Sequence, residues 1–282
     1  MKKYPLFKIH AKAPDIVLGI SNVLASGFIN EGEEVVKLTA ALQKRFQTDK
    51  LSLLNSCTSA LTLALKLSDV GHGDVVISTS MTCVATNTPI ISLGASIEWA
   101  DIDSSTGMID PKKVSLAIDD LRYEGKRVKA VIAVAWAGTP PELQELSELC
   151  SRKGVKLILD AAHAFDAEYA GHQIHMFADF TCYSFQAIKH FTTGYGGALV
   201  CKDELHHKRA KALKWFGLDR DQAKDEKGDW KGQQWDVDIV EAGYKFNMNN
   251  LAAAVGLSQL PHIDGILQRH RRNAATYDVL LG

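Results

Sequence analysis

Val155-Lys156-Leu157-Ile158-Leu159-Asp160-Ala161-Ala162-His163 is an almost unbroken apolar run that stops at an acid. A strand covered on one face alternates apolar and polar residues, whereas a strand covered on both faces is apolar nearly throughout. Residues 155–159 therefore read as a strand buried in an α/β protein. Asp160 stands at its carboxyl end, where open α/β sheets place their ligand contacts. The plainer reading of Asp160 is a cap for the helix that follows.

Working outward, similar short runs occur at 75–77, 96–99, 130–136, 180–185 and 198–201. Helical patterns fall between or beside them, at 57–68, 111–123, 141–153 and 202–215, with Pro111 and Pro141 at helix starts, where a missing N–H costs least. The alternation predicts a three-layer α/β fold, a mostly parallel sheet covered by helices. Residues 217–243 break the rhythm. They carry Asp219, Arg220, Asp221, Lys224, Asp225, Glu226, Lys227 and Asp229 with Trp230 and Trp235 among them. A loop that long is usually functional or mobile, and two tryptophans fit a purely disordered linker poorly. Helical patterns return at 247–260 and 264–281. The basic runs at 206–214 and 269–272 lie in helical patterns and read as solvated faces.

The chain has 282 residues, enough for one large α/β domain or two smaller ones. Its 32 Lys and Arg against 33 Asp and Glu give a formal charge of −1, which removes the electrostatic case for a nucleic-acid or membrane-surface binder. No stretch approaches the roughly 20 apolar residues of a membrane span. Lys2 and Lys3 are followed by no apolar segment of the secretory type. Cys57, Cys83, Cys150, Cys182 and Cys201 are odd in number and contain no CxxC pair, so neither a disulfide framework nor a zinc or other metal site is expected. A soluble cytoplasmic protein is the expectation.

Three further stretches carry chemistry besides Asp160. Asn55-Ser56-Cys57-Thr58-Ser59-Ala60-Leu61 runs from a strand end into a helix, and Thr58 and Ser59 place hydroxyls and backbone N–H groups where a phosphate is favoured. An ordinary N-cap reads the same way. In Ser184-Phe185-Gln186-Ala187-Ile188-Lys189-His190-Phe191-Thr192-Thr193-Gly194-Tyr195-Gly196-Gly197, Lys189 sits between Ile188 and Phe191, where desolvation can lower its pKa toward nucleophilic competence. The glycines there precede a strand, so they form no dinucleotide fingerprint. Gly243-Tyr244-Lys245-Phe246-Asn247-Met248-Asn249-Asn250-Leu251 is an Asn-rich helix entry that by itself reads as a cap. An acid placed like Asp160 can also hold the proton on a cofactor's pyridine nitrogen, as pyridoxal phosphate needs to act as an electron sink.

Together these stretches resemble the DegT/DnrJ/EryC1/StrS family of sugar aminotransferases, enzymes dependent on pyridoxal 5′-phosphate (PLP) with the aspartate-aminotransferase fold. The resemblance runs through Ser-Gly-Phe-Ile-Asn-Glu-Gly at 26–32, residues 57–61, 73–76, Ser-Met-Thr-Cys-Val-Ala-Thr-Asn at 80–87, 94–103, 160–163, 184–197 and 243–260. It implies that Lys189 forms the Schiff base with PLP and shuttles a proton, with pyridoxamine phosphate as intermediate. It implies further that Asp160 holds the pyridinium proton, that Thr58, Ser59 and Ser184 bind the phosphate, and that His163 lies beside the ring. Asn247 would reach the phosphate of a neighbouring subunit, which makes a homodimer with shared sites the working unit. Cys83 stands where the family often has an aromatic residue over the ring, Tyr195 where the turn usually has an acid, and Cys57 where glycine is usual.

The implied reaction moves an amino group from an amino acid, glutamate above all, to a nucleotide-linked keto sugar, in amino-sugar, surface-polysaccharide (lipopolysaccharide) or secondary-metabolite biosynthesis. Related sugar dehydratases carry histidine at the lysine position, so Lys189 argues against dehydration even with His190 beside it. The resemblance assigns residues 1–262 to a PLP-binding large domain and 263–282 to the start of a largely absent small C-terminal domain. That division leaves a non-catalytic or regulatory relative as a further alternative. Arg220, in the 217–243 stretch, is a candidate contact for the nucleotide diphosphate.

Overall fold

Ala130 and Ile132 face one way along their strand and Val131 and Ala133 the other, yet all four are fully buried. Only cover on both faces of the sheet explains that, and the computed structural model, which describes residues 8–9, 12–219 and 237–281, supplies it. In chain order the elements are α1 (Ala13–Ser26), α2 (Glu33–Phe46), β1 (Leu51–Leu54), α3 (Cys57–Leu67), β2 (Asp74–Ser78), α4 (Val84–Ser92), β3 (Ser96–Trp99) and α5 (Pro111–Tyr123). There follow β4 (Arg127–Val134), α6 (Leu143–Lys153), β5 (Lys156–Asp160), the small pair β6 (Glu168–Tyr169) and β7 (His172–Gln173), β8 (Phe180–Ser184), β9 (Gly197–Cys201), α7 (Glu204–Leu213), α8 (Asn250–Gln259) and α9 (Ile263–Leu281).

Seven strands form one sheet in the order β1-β9-β8-β5-β4-β2-β3. β9 alone runs against its neighbours, and the remaining pairings are parallel. The α/β three-layer arrangement read from the sequence is the arrangement found. On one face α2 places Val35, Leu38, Leu42 and Phe46, at helical spacing, in a core shared with α5 and α6. On the other face α3 buries Ala60, Leu61, Ala64 and Leu65 beside Ile90 of α4 and Leu213 of α7. Each large apolar side chain so buried contributes about 1.5–3 kcal/mol, an upper figure because unfolded chains already hide some surface.

Side-chain caps set several helix starts. Asp110 Oδ1 accepts from Lys112 N at 2.8 Å, Asp203 Oδ1 from His206 N at 2.8 Å, and Asn249 Oδ1 from Ala252 N at 2.9 Å. The last cap starts α8 at Asn250, three residues later than the pattern suggested. α6 likewise begins at Leu143, after Pro140 and Pro141. The 206–214 run is less solvated than its composition implies. Arg209 pairs with Glu241 at 2.7 Å and Asp69 at 3.1 Å, and Lys214 with Glu31 at 2.6 Å. The ends of the 217–243 stretch meet in a bridge between Leu218 and Ile239, while Arg220, Trp230 and Trp235 lie outside the described residues. α9 joins the core through Ile263 and Leu267 and is exposed from residue 268 onward. Among the described residues no helix is long and apolar enough to cross a membrane.

Candidate active site

Parallel strands leave their carboxyl ends at one edge of the sheet, and β2, β4, β5 and β8 end there side by side. A cavity of about 400 Å³ opens at that edge. Its wall takes Cys57 and Thr58 from the start of α3, Thr82, Cys83 and Thr86 around the start of α4, and Val134 and Trp136 from the end of β4. Asp160 and His163 come from the end of β5, and Ser184, Lys189 and Tyr195 from the return between β8 and β9. A cavity of about 440 Å³ between α2 and the end of α7 has its Glu31 and Lys214 paired with each other and none of these groups.

The start of α3 is built to present donors. Ser56 Oγ caps the helix by accepting from Ser59 N at 3.0 Å. Among the described residues the N–H groups of Cys57 and Thr58 have no partner, so the helix dipole and two donors face the cavity. Gly197 sets the approach: a Cβ there would stand 2.6 Å from Cys57 N and from Ser56 C, so only glycine lets β9 lie against the helix start. Ser59 is buried, with its hydroxyl 2.6 Å from Asn55 Oδ1 and 2.9 Å from Ser56 Oγ, and it is not part of the cavity wall.

Asp160 is 4% exposed and closes β5 opposite Val134. Its Oδ1 accepts from Ala162 N at 3.0 Å and its Oδ2 from Thr86 Oγ1 at 2.6 Å. Burial drives its pKa upward against the pull of those donors and of His163 and Lys189. The helix-cap reading survives only as the Ala162 bond. Two residues on, His163 Nδ1 accepts from Ala137 N at 3.3 Å, which leaves the ring proton of the neutral imidazole on Nε2. Burial and then Lys189 lower the His163 pKa and favour that neutral form. The ring lies 5.3 Å from that of Trp136.

Lys189 is carried on a return loop fixed at many points. Phe185 N donates to Gly196 O at 2.8 Å, Thr193 N to Phe185 O at 3.0 Å, and Thr192 Oγ1 to the same carbonyl at 3.1 Å. Phe191 is fully buried and stacks on Phe165 at 5.3 Å. Lys189 N donates to Gln186 O at 2.9 Å. Burial lowers the Lys189 pKa, although Cys57, Asp160 and Cys83 act in the opposite sense. His190 turns to His270 of α9, ring to ring at 4.6 Å, and is not part of the cavity wall.

The structure thus brings together Thr58, Cys83, Asp160, His163, Ser184 and Lys189 of the sequence-predicted residues. Asn247 stands outside the wall. It bridges to Leu54, accepts from Lys245 Nζ at 2.9 Å and donates to Met248 O at 3.3 Å. Sequence reading singled out neither Thr86 nor Trp136. Thr86 lies inside the 80–87 motif, yet its partner is 74 residues away.

A family model described as the DegT/DnrJ/EryC1/StrS aminotransferase family matches residues 12–282. The spore coat polysaccharide biosynthesis protein SpsC of Bacillus subtilis is 32% identical over 262 residues, which cover 92% of this chain and 64% of SpsC. The chain therefore spans somewhat less than two thirds of that relative. The crystal structure of the sugar aminotransferase CalS13 from Micromonospora echinospora is 33% identical with a TM-score of 0.88, covering 99% of this chain and 73% of that one. Spr1654 of Streptococcus pneumoniae, solved in a PLP-form, is 28% identical with a TM-score of 0.86, covering 99% of this chain and 71% of its own.

Proposed function

This chain belongs to the DegT/DnrJ/EryC1/StrS aminotransferase family, and from that premise we propose that it moves an amino group from glutamate to a nucleotide-linked keto sugar. PLP, which the family uses, is the proposed cofactor. The observation that carries the reading is one cavity holding both a lysine of lowered pKa and a buried, hydrogen-bonded aspartate, Lys189 and Asp160.

The residues fit such a group. Its phosphate would meet the N–H groups of Cys57 and Thr58 and the hydroxyls of Thr58 and Ser184, at a helix N-terminus that favours anions. Ser59 would join them by exchanging its bond to Asn55. Asp160 would hold a proton on the ring nitrogen. His163 would donate from Nε2, beside Trp136, in the cavity that Cys83 also lines. When bound, PLP supplies the electron sink that stabilises a carbanion beside the amino group. Lys189 Nζ then moves the proton at the donor's Cα, a role for which burial has lowered its proton affinity. Val134 and Trp136 exclude water from that side of the cavity.

Asn247 is proposed to act on the phosphate of a second subunit, so that a homodimer shares its sites. Residues 1–262 are taken as the cofactor-binding unit, with 263–282 beginning a second one. Lys189 in the wall, with His190 turned away, favours transamination over dehydration. Amino-sugar or polysaccharide biosynthesis is the proposed setting, and a nucleotide sugar the proposed acceptor.

The test is a half-reaction. Protein loaded with PLP is expected to be yellow, to lose that colour with glutamate as pyridoxamine phosphate forms, and to retain the cofactor on Lys189 after borohydride reduction, as read by peptide mass spectrometry. A protein that takes up no PLP refutes the enzyme reading, and a borohydride adduct that persists in Lys189→Ala refutes the assignment of the lysine.

A further inference from the structure

Asp160 is buried at the end of β5, and neither of its two hydrogen-bond donors among the described residues is a cation. A carboxylate so placed depends first on its neutral hydrogen-bond donors to stay charged, with a lesser pull from His163 and Lys189. One of them is a backbone N–H, and the other is Thr86 Oγ1. Thr86 Oγ1 also lies 2.7 Å from Thr82 Oγ1. A hydroxyl has one proton to give, and an ionised carboxylate can only accept. With Asp160 charged, Thr86 must donate to Asp160 and Thr82 must donate to Thr86. With Asp160 protonated on Oδ2 the chain can run the other way. The two threonines therefore have a direction, and the charge on Asp160 selects it.

This arrangement is anchored at both ends. Thr86 is 1% exposed in the first turn of α4, and its N–H donates to Cys83 O at 3.0 Å. The next residue, Asn87, ties that turn to the end of β2, accepting from Ser78 Oγ at 2.6 Å and donating to Thr79 O at 3.1 Å. The first turn of α4 is thus fixed between β2 and β5, and Thr86 reaches Asp160 from a rigid base. One bond to each carboxylate oxygen leaves acceptor capacity on both for the cavity.

We propose that Thr86, backed by Thr82, is a positioning residue that keeps Asp160 ionised and oriented to hold a proton on the ring nitrogen of the cofactor. This rests on the cofactor reading above. Its consequence is confined to the ring nitrogen, and that makes it separable from a general packing role.

The experiment measures binding of two probes, PLP and its 1-deaza analogue, in which a C–H replaces the ring nitrogen. The proteins compared are wild type, Thr86→Val and Thr86→Ser. Wild type is expected to prefer PLP. Thr86→Val should lose about tenfold of that preference, while its affinity for the deaza analogue stays within about twofold. Thr86→Ser, which keeps the donor, should restore the preference. Equal weakening of both probes by Thr86→Val, or no recovery in Thr86→Ser, overturns the proposal. If Thr86→Val does not fold by circular dichroism, the same comparison is read in Thr82→Val: reduced preference supports the proposal and unchanged preference overturns it. Failure of wild type to bind either probe overturns the cofactor reading itself.

Discussion

Asp160 titrates out of its ordinary range because burial disfavours its charge, and that displacement has a measurable sign. Its pKa is raised in the folded protein, so the native state binds this proton more tightly than the unfolded chain does. The stability linked to Asp160 is therefore greatest below the unfolded value, about pH 4, and declines as pH rises through the higher folded value. Asp160→Asn removes that decline, and the threonine hydroxyls can reverse to accept from the new amide. In cofactor-free protein the variant is expected to melt at a higher temperature than wild type at pH 7, with the gap closing as pH falls toward about 4. A variant no more stable at pH 7 would contradict this account. The same variant should bind PLP more weakly, so the group that costs stability is the one the proposed chemistry would use. Asp160 and Lys189 were legible in the sequence because each ends or follows an apolar run. Thr86 was not, since a hydroxyl in a helix turn shows its role only when its partner, distant in sequence, is placed beside it.

At the scale of elements, the junction of α3 with β9 shapes the end of the cavity proposed for the phosphate. Ser56→Ala removes the cap of α3 and is expected to cost about 1 kcal/mol in denaturant unfolding, with weaker uptake of PLP. Gly197→Ala should cost more, about 1–3 kcal/mol from overpacking, because the added Cβ meets backbone that has no rotamer to yield. Gly265→Ala is the counterpart. That residue is exposed in α9, where an added Cβ would meet nothing within 4 Å, and the change should stabilise by up to about 1 kcal/mol. Equal thermal shifts in the two glycine variants would argue against the close approach of β9 to α3. The central strands β4 and β5 were readable because two-sided burial removes most polar residues from them, whereas β3 at the sheet edge is largely uncovered. α4 escaped the sequence reading: Pro89 lies inside it and the polar run Thr86-Asn87-Thr88 precedes that proline, both of which obscure a helical pattern. Starts of α6 and α8 were misplaced by two or three residues, since prolines and asparagines cap as readily as they continue.

For the whole molecule, the proposed division of each site between two subunits predicts complementation. Lys189→Ala and Asn247→Ala homodimers should each be impaired, whereas subunits mixed and exchanged should recover activity in heterodimers that assemble one intact site. Absence of recovery, with exchange verified by native mass spectrometry, would place Asn247 in service of its own chain. The architecture of the sheet also bears on how the protein is made. Because β9 runs against β8, Ser184 and Gly197 face each other across a short return, and the lysine's half of the site comes from neighbours in sequence. Asp160 joins it once β5 has paired with β8, and the start of α3 only after β1 has paired with β9, far along the chain, a contact that folds late. Refolding should therefore pass through chains that have formed the lysine loop and cannot yet retain PLP, and recovery of the cofactor's colour should track the slowest phase of folding.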